Sequence, residues 1–487
     1  MTSDEMLKQK VLNKVTRRLI PLLFVLYIIA YLDRVNVGFA ALQMNHDLGF
    51  SSTIYGFGSG IFFLGYFLFE IPSNLILERI GARVWIARIV ITWGVIAASM
   101  MFVKSPLSFY LLRFLLGIAE AGFFPGIILY LTYWFPAIQR AKTVALFMTA
   151  TAIAGVVGAP LSGLLLTLHG FMGLAGWQWL FLVEGLPAIF MGFVVLSYLC
   201  ERPELAQWLE VEERSWLQER LRLENEHKTR HKSYTLLQSL VNPKVWLLSL
   251  IYFTLVIGLY GISFWLPQII KGFSGLSDLW VAFLSVIPYL VGAIGMVFVG
   301  SHSDQTGERR AHVAIPAFIG AFGLILSAYF HHPVTALASL SLAALGIWGA
   351  LGPFWALPTA FLSGTAAAGS LALINSVGNL GGFVAPYVIG LVKDATNSFT
   401  GGLQVMAAAL LVGGILALIV RHDSSLERLD TISTGANGTL EKEKGKSLRQ
   451  LLCSVSTTLN NQSKGAGENS MCLVFIPSAP LLPCTRF

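Results

Sequence analysis

The sequence predicts an all-α polytopic membrane protein, with twelve transmembrane helices in two pseudo-symmetric halves of six. Three observations predict it. Of 487 residues, 55% are apolar and 12% charged, about half the ~25% charge of a soluble domain. Apolar runs of roughly 20 residues, the length that crosses a bilayer core, recur along the chain. Matched residues also return at a fixed offset of 226.

The spans are placed at 19–40, 53–77, 84–103, 107–131, 142–166, 178–199, 245–270, 279–300, 312–331, 334–361, 366–392 and 402–420. Residues 1–18 are polar and basic and precede a run long enough to span, so a cytoplasmic N-terminus and no cleaved signal are expected. Residues 200–244 form the long linker between the halves 19–199 and 245–420. Pro203 opens an amphipathic helical pattern there, with Leu205, Trp208, Leu209, Trp216, Leu217 and Leu221 on its apolar face. Residues 421–487 are rich in Ser, Asn, Thr, Gly and Lys, without periodicity, and read as a disordered cytoplasmic tail. Asn437 and Asn461 match glycosylation acceptors but are expected on the cytoplasmic side, and the apolar patch Leu473 to Leu482 has no assigned role. The four cysteines, Cys200, Cys453, Cys472 and Cys484, have neither metal spacing nor a disulfide pattern.

The net charge of +7 sits on loops, which argues against nucleic acid and for topology. Lys8, Lys10, Lys14, Arg17, Arg18, Arg79, Arg83, Arg88, Arg140, Lys142, Arg309, Arg310 and eight residues of the linker lie on one side. Only Lys104, Lys271 and Lys393 lie on the other, so twenty basic residues face three. Basic loops stay cytoplasmic, which puts both termini inside.

The halves repeat. Glu78, Gly81 and Arg83 match Asp304, Gly307 and Arg309 (with Arg310 following), Gly155 matches Gly381, and Pro160 matches Pro386, all at offset 226. Paired halves are a mark of alternating-access transporters, which bind substrate near the midplane. In the loop motif, an acid at a helix end and arginines in a short turn can bridge neighbouring helices in one state only. Topogenic charge alone explains those arginines but not the matched spacing. Gly155-Val-Val-Gly-Ala-Pro160 reads as a site of close helix approach.

Within Tyr31-Leu-Asp-Arg-Val-Asn-Val-Gly-Phe39, Asp33 and Arg34 lie deep in an apolar span. Arg113 and Glu120 lie in the fourth. Ionised groups at bilayer depth are costly, and they commonly mark a substrate or proton path, although a structural packing pair is the simpler alternative. At about 1.5 Å per residue, Asp33, Arg34 and Arg113 lie roughly 10 Å below the outer surface, with Glu120 about 10 Å deeper. The expectation is one cavity shared by two arginines and two carboxylates. Arginine suits a substrate carboxylate, because its fork makes two parallel bonds and keeps its charge. Asp33 and Glu120 are the proton-coupling candidates, since burial and a nearby arginine pull a carboxylate in opposite directions. The repeat counterparts of Asp33, Arg34, Arg113 and Glu120 are Leu259, Tyr260, Ser339 and Gly346. Charge recognition is therefore expected in the N-terminal half, with neutral contacts from Tyr260, Gln268, Trp355, Asn375 and Asn379, joined by Tyr31 and Tyr66. For each of these neutral residues, helix packing is the competing role. Glu70 and Glu184 read as helix–helix or gate contacts, and His331 and His332 as solvated loop residues.

The motif Asp304-x-x-Gly-x-Arg-Arg310 and its weaker copy after span two resemble the loop motif of the major facilitator superfamily. The first-span motif, Gly65-Tyr-Phe-Leu-Phe-Glu-Ile-Pro-Ser-Asn74, Arg113-Phe-Leu-Leu-Gly-Ile-Ala-Glu-Ala-Gly122 and Asn375-Ser-Val-Gly-Asn379 resemble its anion:cation symporter branch, across about residues 10–420. Within that branch the chain is most similar to bacterial tartrate and carboxylate carriers. The resemblance implies proton-coupled uptake of a small organic anion, such as a tartrate-like hydroxy acid, across the bacterial inner membrane. It also places the coupling acids and the substrate arginine in the first- and fourth-span motifs. The expected partners are the organic anion, protons and the bilayer, with the protein a monomer and without nucleic acid, cofactor or metal. A phosphate-ester exchanger would carry a basic residue in span seven, where none precedes Lys271. A sodium-coupled or electrogenic carrier and a transporter-like nutrient sensor remain the alternatives. A channel would need a ring of pore charge, against the asymmetry of the halves. No nucleophile–base pair or phosphate loop points to an enzyme.

Overall fold

The run of apolar residues dictates helix, because a backbone group left unpaired in lipid costs several kcal/mol. The computed structural model describes residues 3–230, 241–330, 332–361 and 365–420. The predicted tail, three of the four cysteines, residues 231–240 of the linker and His331 lie outside the described residues. The helices are α1 (Ser3–Val35), α2 (Val37–Asp47), α3 (Ser52–Ile80), α4 (Ala82–Ser99), α5 (Pro106–Glu120), α6 (Phe123–Thr132), α7 (Ala137–Leu166), α8 (Gly176–Tyr198), α9 (Val211–Arg230), α10 (Pro243–Ser274), α11 (Asp278–Thr306), α12 (Arg310–Tyr329), α13 (Pro333–Phe361), α14 (Thr365–Asn379), α15 (Gly381–Thr396) and α16 (Thr400–Ile419). Twelve stretches among the described residues are long and apolar enough to cross a membrane. Each overlaps one predicted span.

Three spans are broken where the sequence reading drew unbroken helices. The first bends at Asn36 between α1 and α2, the fourth breaks at Ala121 and Gly122 between α5 and α6, and the eleventh turns at Leu380 between α14 and α15. Gly122 has φ +83°, a left-handed conformation that costs glycine little. Every break lies within two residues of a motif residue: Arg34, Glu120 or Asn379.

The linker starts as a single turn at Pro203–Leu205, and its helix α9 begins only at Val211. Leu209 and Leu217 are buried, and Glu213 anchors the linker by accepting from Lys14 at 2.8 Å.

The halves meet along α2–α10, α3–α15 and α7–α11. Small residues permit the approach. A Cβ on Gly56 would lie 2.2 Å from the Pro386 carbonyl oxygen, and one on Gly155 would lie 2.3 Å from the Tyr289 ring. The Gly155–Pro160 stretch is therefore a helix-contact surface, and α7 runs unbroken through Pro160.

One set of polar bonds between the halves lies at the face remote from the N-terminus. Gln43 donates to Asp278 at 3.0 Å, and the Asp394 carboxylate accepts from the Ser52 and Thr53 amides at 2.9 and 2.7 Å. Asp394 thus caps the start of α3 from the opposite half, where the helix dipole favours an anion. Asp394→Ala should weaken this closure by about 1 kcal/mol. A single cysteine placed at Gln43 should then label faster with a membrane-impermeant thiol reagent, and an unchanged rate would count against the latch.

The two loop motifs differ from expectation in their partners. Gly81 and Gly307 both hold positive φ, +104° and +68°. Arg309 bridges Asp304 at 2.6 Å, within its own turn, while Arg310 donates to the Leu418 carbonyl at the end of α16. In the first copy, Glu78 is exposed. The acid that engages the turn is Glu201, which follows α8 and accepts from the Ala82 and Arg83 amides. Each turn is thereby tied to the end of the last helix of its own half.

Candidate functional site

Arg34 occupies the last turn of α1, and a cation there complements the helix dipole. Its guanidinium forms a buried ion pair with Glu120 and donates to the Tyr260 hydroxyl at 2.7 Å. Glu120 is the final residue of α5, where the dipole disfavours an anion, so it depends on Arg34 for compensation. Arg34 and Tyr260 are repeat counterparts at offset 226. A residue that touches its own counterpart lies close to the pseudo-twofold axis, so this bond marks the centre of the molecule.

Around the pair is a cavity of about 30 Å³, room for at least one water. Tyr27, Tyr31, Arg34 and Tyr66 line it from the N-terminal half, and Tyr252, Tyr260, Trp355, Asn375 and Asn379 from the C-terminal half. Tyr31 shares a 3.3 Å hydrogen bond with Ser263 across the halves. Arg34 also lies over the Phe62 and Tyr66 rings, at 5.2 and 5.4 Å. The Trp355 Nε1 is buried with no hydrogen-bond partner among the described residues, a donor in the wall of a polar cavity.

The expected grouping of four charges in one cavity needs correction. Of Asp33, Arg34, Arg113 and Glu120, only Arg34 lines the cavity, with Glu120 directly behind it. Asp33 turns towards span three, where its Oδ2 accepts from Trp93 Nε1 at 2.9 Å and its Oδ1 has no partner among the described residues. Neighbours on a helix point about 100° apart, and here that turn puts Arg34 on the cavity and Asp33 against Trp93. Arg113 is fully buried, donates to the Ser59 carbonyl at 3.0 Å and lies 5.2 Å from the Phe62 ring. It makes no ion pair among the described residues, where it is a buried cation held by a carbonyl and aromatic faces. Gln268 lies outside the cavity wall, beside Tyr55.

Two further buried acids flank the centre. Glu184 accepts from Ser162 at 2.8 Å. Glu70, one turn beyond Tyr66, accepts from Asn375 at 2.7 Å and from Ser376, both in the opposite half. Asn379 donates to Asn375 at 3.1 Å, so cavity wall and Glu70 form one chain of bonds. From sequence, Glu70 reads as a helix–helix or gate contact and Asn375 as a candidate substrate contact, and the structure joins the two. Their link could have been sought in the two polar motifs that face each other in spans two and eleven.

A family model described as the Major Facilitator Superfamily matches residues 23–386. An Agrobacterium vitis protein named "Putative tartrate transporter" is 52% identical over 420 residues, covering 86% of this chain and 96% of its own. A "Quinolone resistance transporter" of Acinetobacter baumannii is 43% identical over 428 residues, covering 88% of this chain and 98% of its own. Among solved structures, the xylose transporter XylE of E. coli, in a partially occluded inward-open conformation, superposes with a TM-score of 0.67. Its sequence identity is 14%, and the match covers 83% of this chain and 97% of that one, a likeness of fold. Twelve spans, a centre built by repeat counterparts and a match across most of the length agree with one another: this is an integral membrane transporter and not an enzyme, and the chain belongs to the Major Facilitator Superfamily.

Proposed function

We propose that the protein takes up a small organic carboxylate, a tartrate-like hydroxy acid, together with protons, by alternating access. The observation that carries this reading is the Arg34–Glu120 pair. Arg34 faces the central cavity and already holds a carboxylate that a substrate carboxylate can replace. A proton delivered to Glu120 removes its charge and frees the guanidinium. The substrate then takes the vacated bonds, with Tyr260 and Trp355 donating to its other oxygens. Asp33 serves as a second proton carrier, coupled to the site through its neighbour Arg34. Arg113 supplies positive potential behind Phe62, and opening of the cavity brings it towards the second carboxylate of a dicarboxylic acid.

The remaining assignments follow from the same reading. The basic loops face the cytoplasm, so both termini are inside and the face closed by Asp394 is the outer one. Residues 19–199 and 245–420 move against each other about the cavity, and the turns at Gly81 and Gly307 reset with each cycle. The site is complete within one chain, which suits a monomer in the bacterial inner membrane. The tartrate reading draws on the name of the Agrobacterium relative, and the quinolone name of the Acinetobacter relative supplies the competing substrate.

The test is uptake of labelled tartrate by purified protein in liposomes under an inward proton gradient. Unlabelled hydroxy-dicarboxylates and a quinolone serve as competitors. Accumulation that collapses with a protonophore and is competed by the hydroxy acids is the expected result. Uptake that follows sodium and ignores pH would overturn the proton roles. Transport of the quinolone alone would overturn the substrate class.

A further inference from the structure

A second cavity lies on the face that carries the N-terminus, at the ends of the spans. It has a volume of about 450 Å³ and is walled by Arg18 of α1, Arg83 and Val84 of α4, Tyr198 of α8, and Leu205 and Trp208 of the linker. That size suits a small-molecule site. Its chemistry is one-sided. The Arg18 guanidinium lies 4.5 Å from the Tyr198 ring and 5.3 Å from the Trp208 ring, which fix its position. Trp208 is itself stacked on the buried Trp134 at 5.6 Å. The Arg18 Nε is buried with no hydrogen-bond partner among the described residues. Neither Arg18 nor Arg83 forms an ion pair among the described residues. The one acid in the wall, Glu201, has both oxygens committed to the Ala82 and Arg83 amides. Arg18 and Arg83 therefore both line the cavity, and neither is paired with an acid among the described residues.

The rim is apolar and open. Val84, Tyr198 and Leu205 are 43%, 37% and 64% exposed, and Phe193, higher on α8, is 59% exposed. In a membrane-spanning chain, such residues at the ends of spans border the acyl chains just below the headgroups. A cationic floor beside an apolar rim at that depth suits an amphiphile.

The geometry points to a binding site for the phosphate of an anionic phospholipid, with Arg18 and Arg83 on the phosphate and the acyl chains along Val84, Tyr198 and Phe193. Planar guanidiniums match phosphate oxygens in pairs. Basic pockets at the ends of transmembrane helices are suited to such headgroups. A zwitterionic headgroup brings an ammonium that the two arginines repel, whereas a glycerol headgroup brings net negative charge alone. The occupant would join α1, the start of α4, the end of α8 and the linker, the segments around the Gly81 turn.

The experiment uses the purified full chain in detergent. Retention of added lipid is read by native mass spectrometry, and unfolding midpoints are recorded with phosphatidylglycerol, phosphatidylcholine of the same chains, or inorganic phosphate. Phosphatidylglycerol should be retained and should raise the midpoint, while the other two should not. Replacing Arg18→Gln and Arg83→Gln should weaken its retention roughly fivefold for each arginine. Leu205→Glu, at a rim position that is 64% exposed, should weaken it as well. Equal retention of phosphatidylcholine, or wild-type retention by folded variants, would overturn the site. Arg18-dependent stabilisation by inorganic phosphate as large as that by phosphatidylglycerol would overturn the lipid and leave a soluble anion.

Discussion

Arg34→Lys should weaken substrate binding by roughly tenfold to a hundredfold, while the protein still inserts and folds. The estimate follows from losing one charge-assisted hydrogen bond, worth about 1.5–3 kcal/mol. Lysine keeps the charge but not the planar fork, so it cannot hold Glu120 or a substrate carboxylate and bond Tyr260 in the same geometry. Equilibrium binding to purified protein separates this from a transport defect. Wild-type affinity would remove Arg34 from the substrate site. Arg34→Ala is the harsher change. It strands a buried carboxylate at a helix end whose dipole repels it, at a cost of about 3–5 kcal/mol. The double variant Arg34→Ala with Glu120→Ala removes both charges and should unfold at a higher temperature than Arg34→Ala alone. A double variant less stable than the single one would show that the pair is not the source of that cost.

The spans were legible because lipid imposes one rule on every backbone group, and length and apolar content satisfy it visibly. All twelve overlap their predicted positions. The helix breaks at Asn36, Gly122 and Leu380 were not legible, since a transmembrane helix tolerates glycine and asparagine without breaking. The site was half legible. Arg34, Tyr31, Tyr66, Tyr260, Trp355, Asn375 and Asn379 line the central cavity as a group. The repeat offset alone named Tyr260 as the counterpart of Arg34. The placing of Asp33 failed because depth was used without direction: depth sets the level of a side chain, and helical phase sets where it points. Arg113 and Glu120 show the converse. A spacing of seven puts them on one face, but the two turns between them let Phe62 and Ser59 take Arg113 first. Glu201 was out of reach for a different reason. The repeat pointed to Glu78, and only the packing of the end of α8 against the start of α4 reveals which acid meets the turn.

Glu120→Gln should abolish accumulation against a gradient while sparing exchange of labelled for unlabelled substrate across the membrane. Glutamine imitates the protonated acid in size and hydrogen bonding, so the variant is fixed in the state that has released Arg34. Substrate can then occupy Arg34 at any pH, and its binding no longer requires a proton. The dependence of binding on pH is thus the sharper readout. In the wild type, binding should strengthen as pH falls, because protonation of Glu120 removes the competitor for the guanidinium. In Glu120→Gln that dependence should flatten, with affinity at high pH rising at least to the wild-type value at low pH. Asp33→Asn separates the two carboxylates. Asp33 is held by Trp93 and does not touch the guanidinium, so its loss should reduce proton-driven uptake while leaving a pH dependence of binding in place. If Glu120→Gln accumulates substrate as well as the wild type, internal competition for Arg34 is not the coupling device. If Asp33→Asn flattens the pH dependence and Glu120→Gln leaves it unchanged, the coupling acid is the one facing Trp93, and the ion pair at the centre serves to position Arg34.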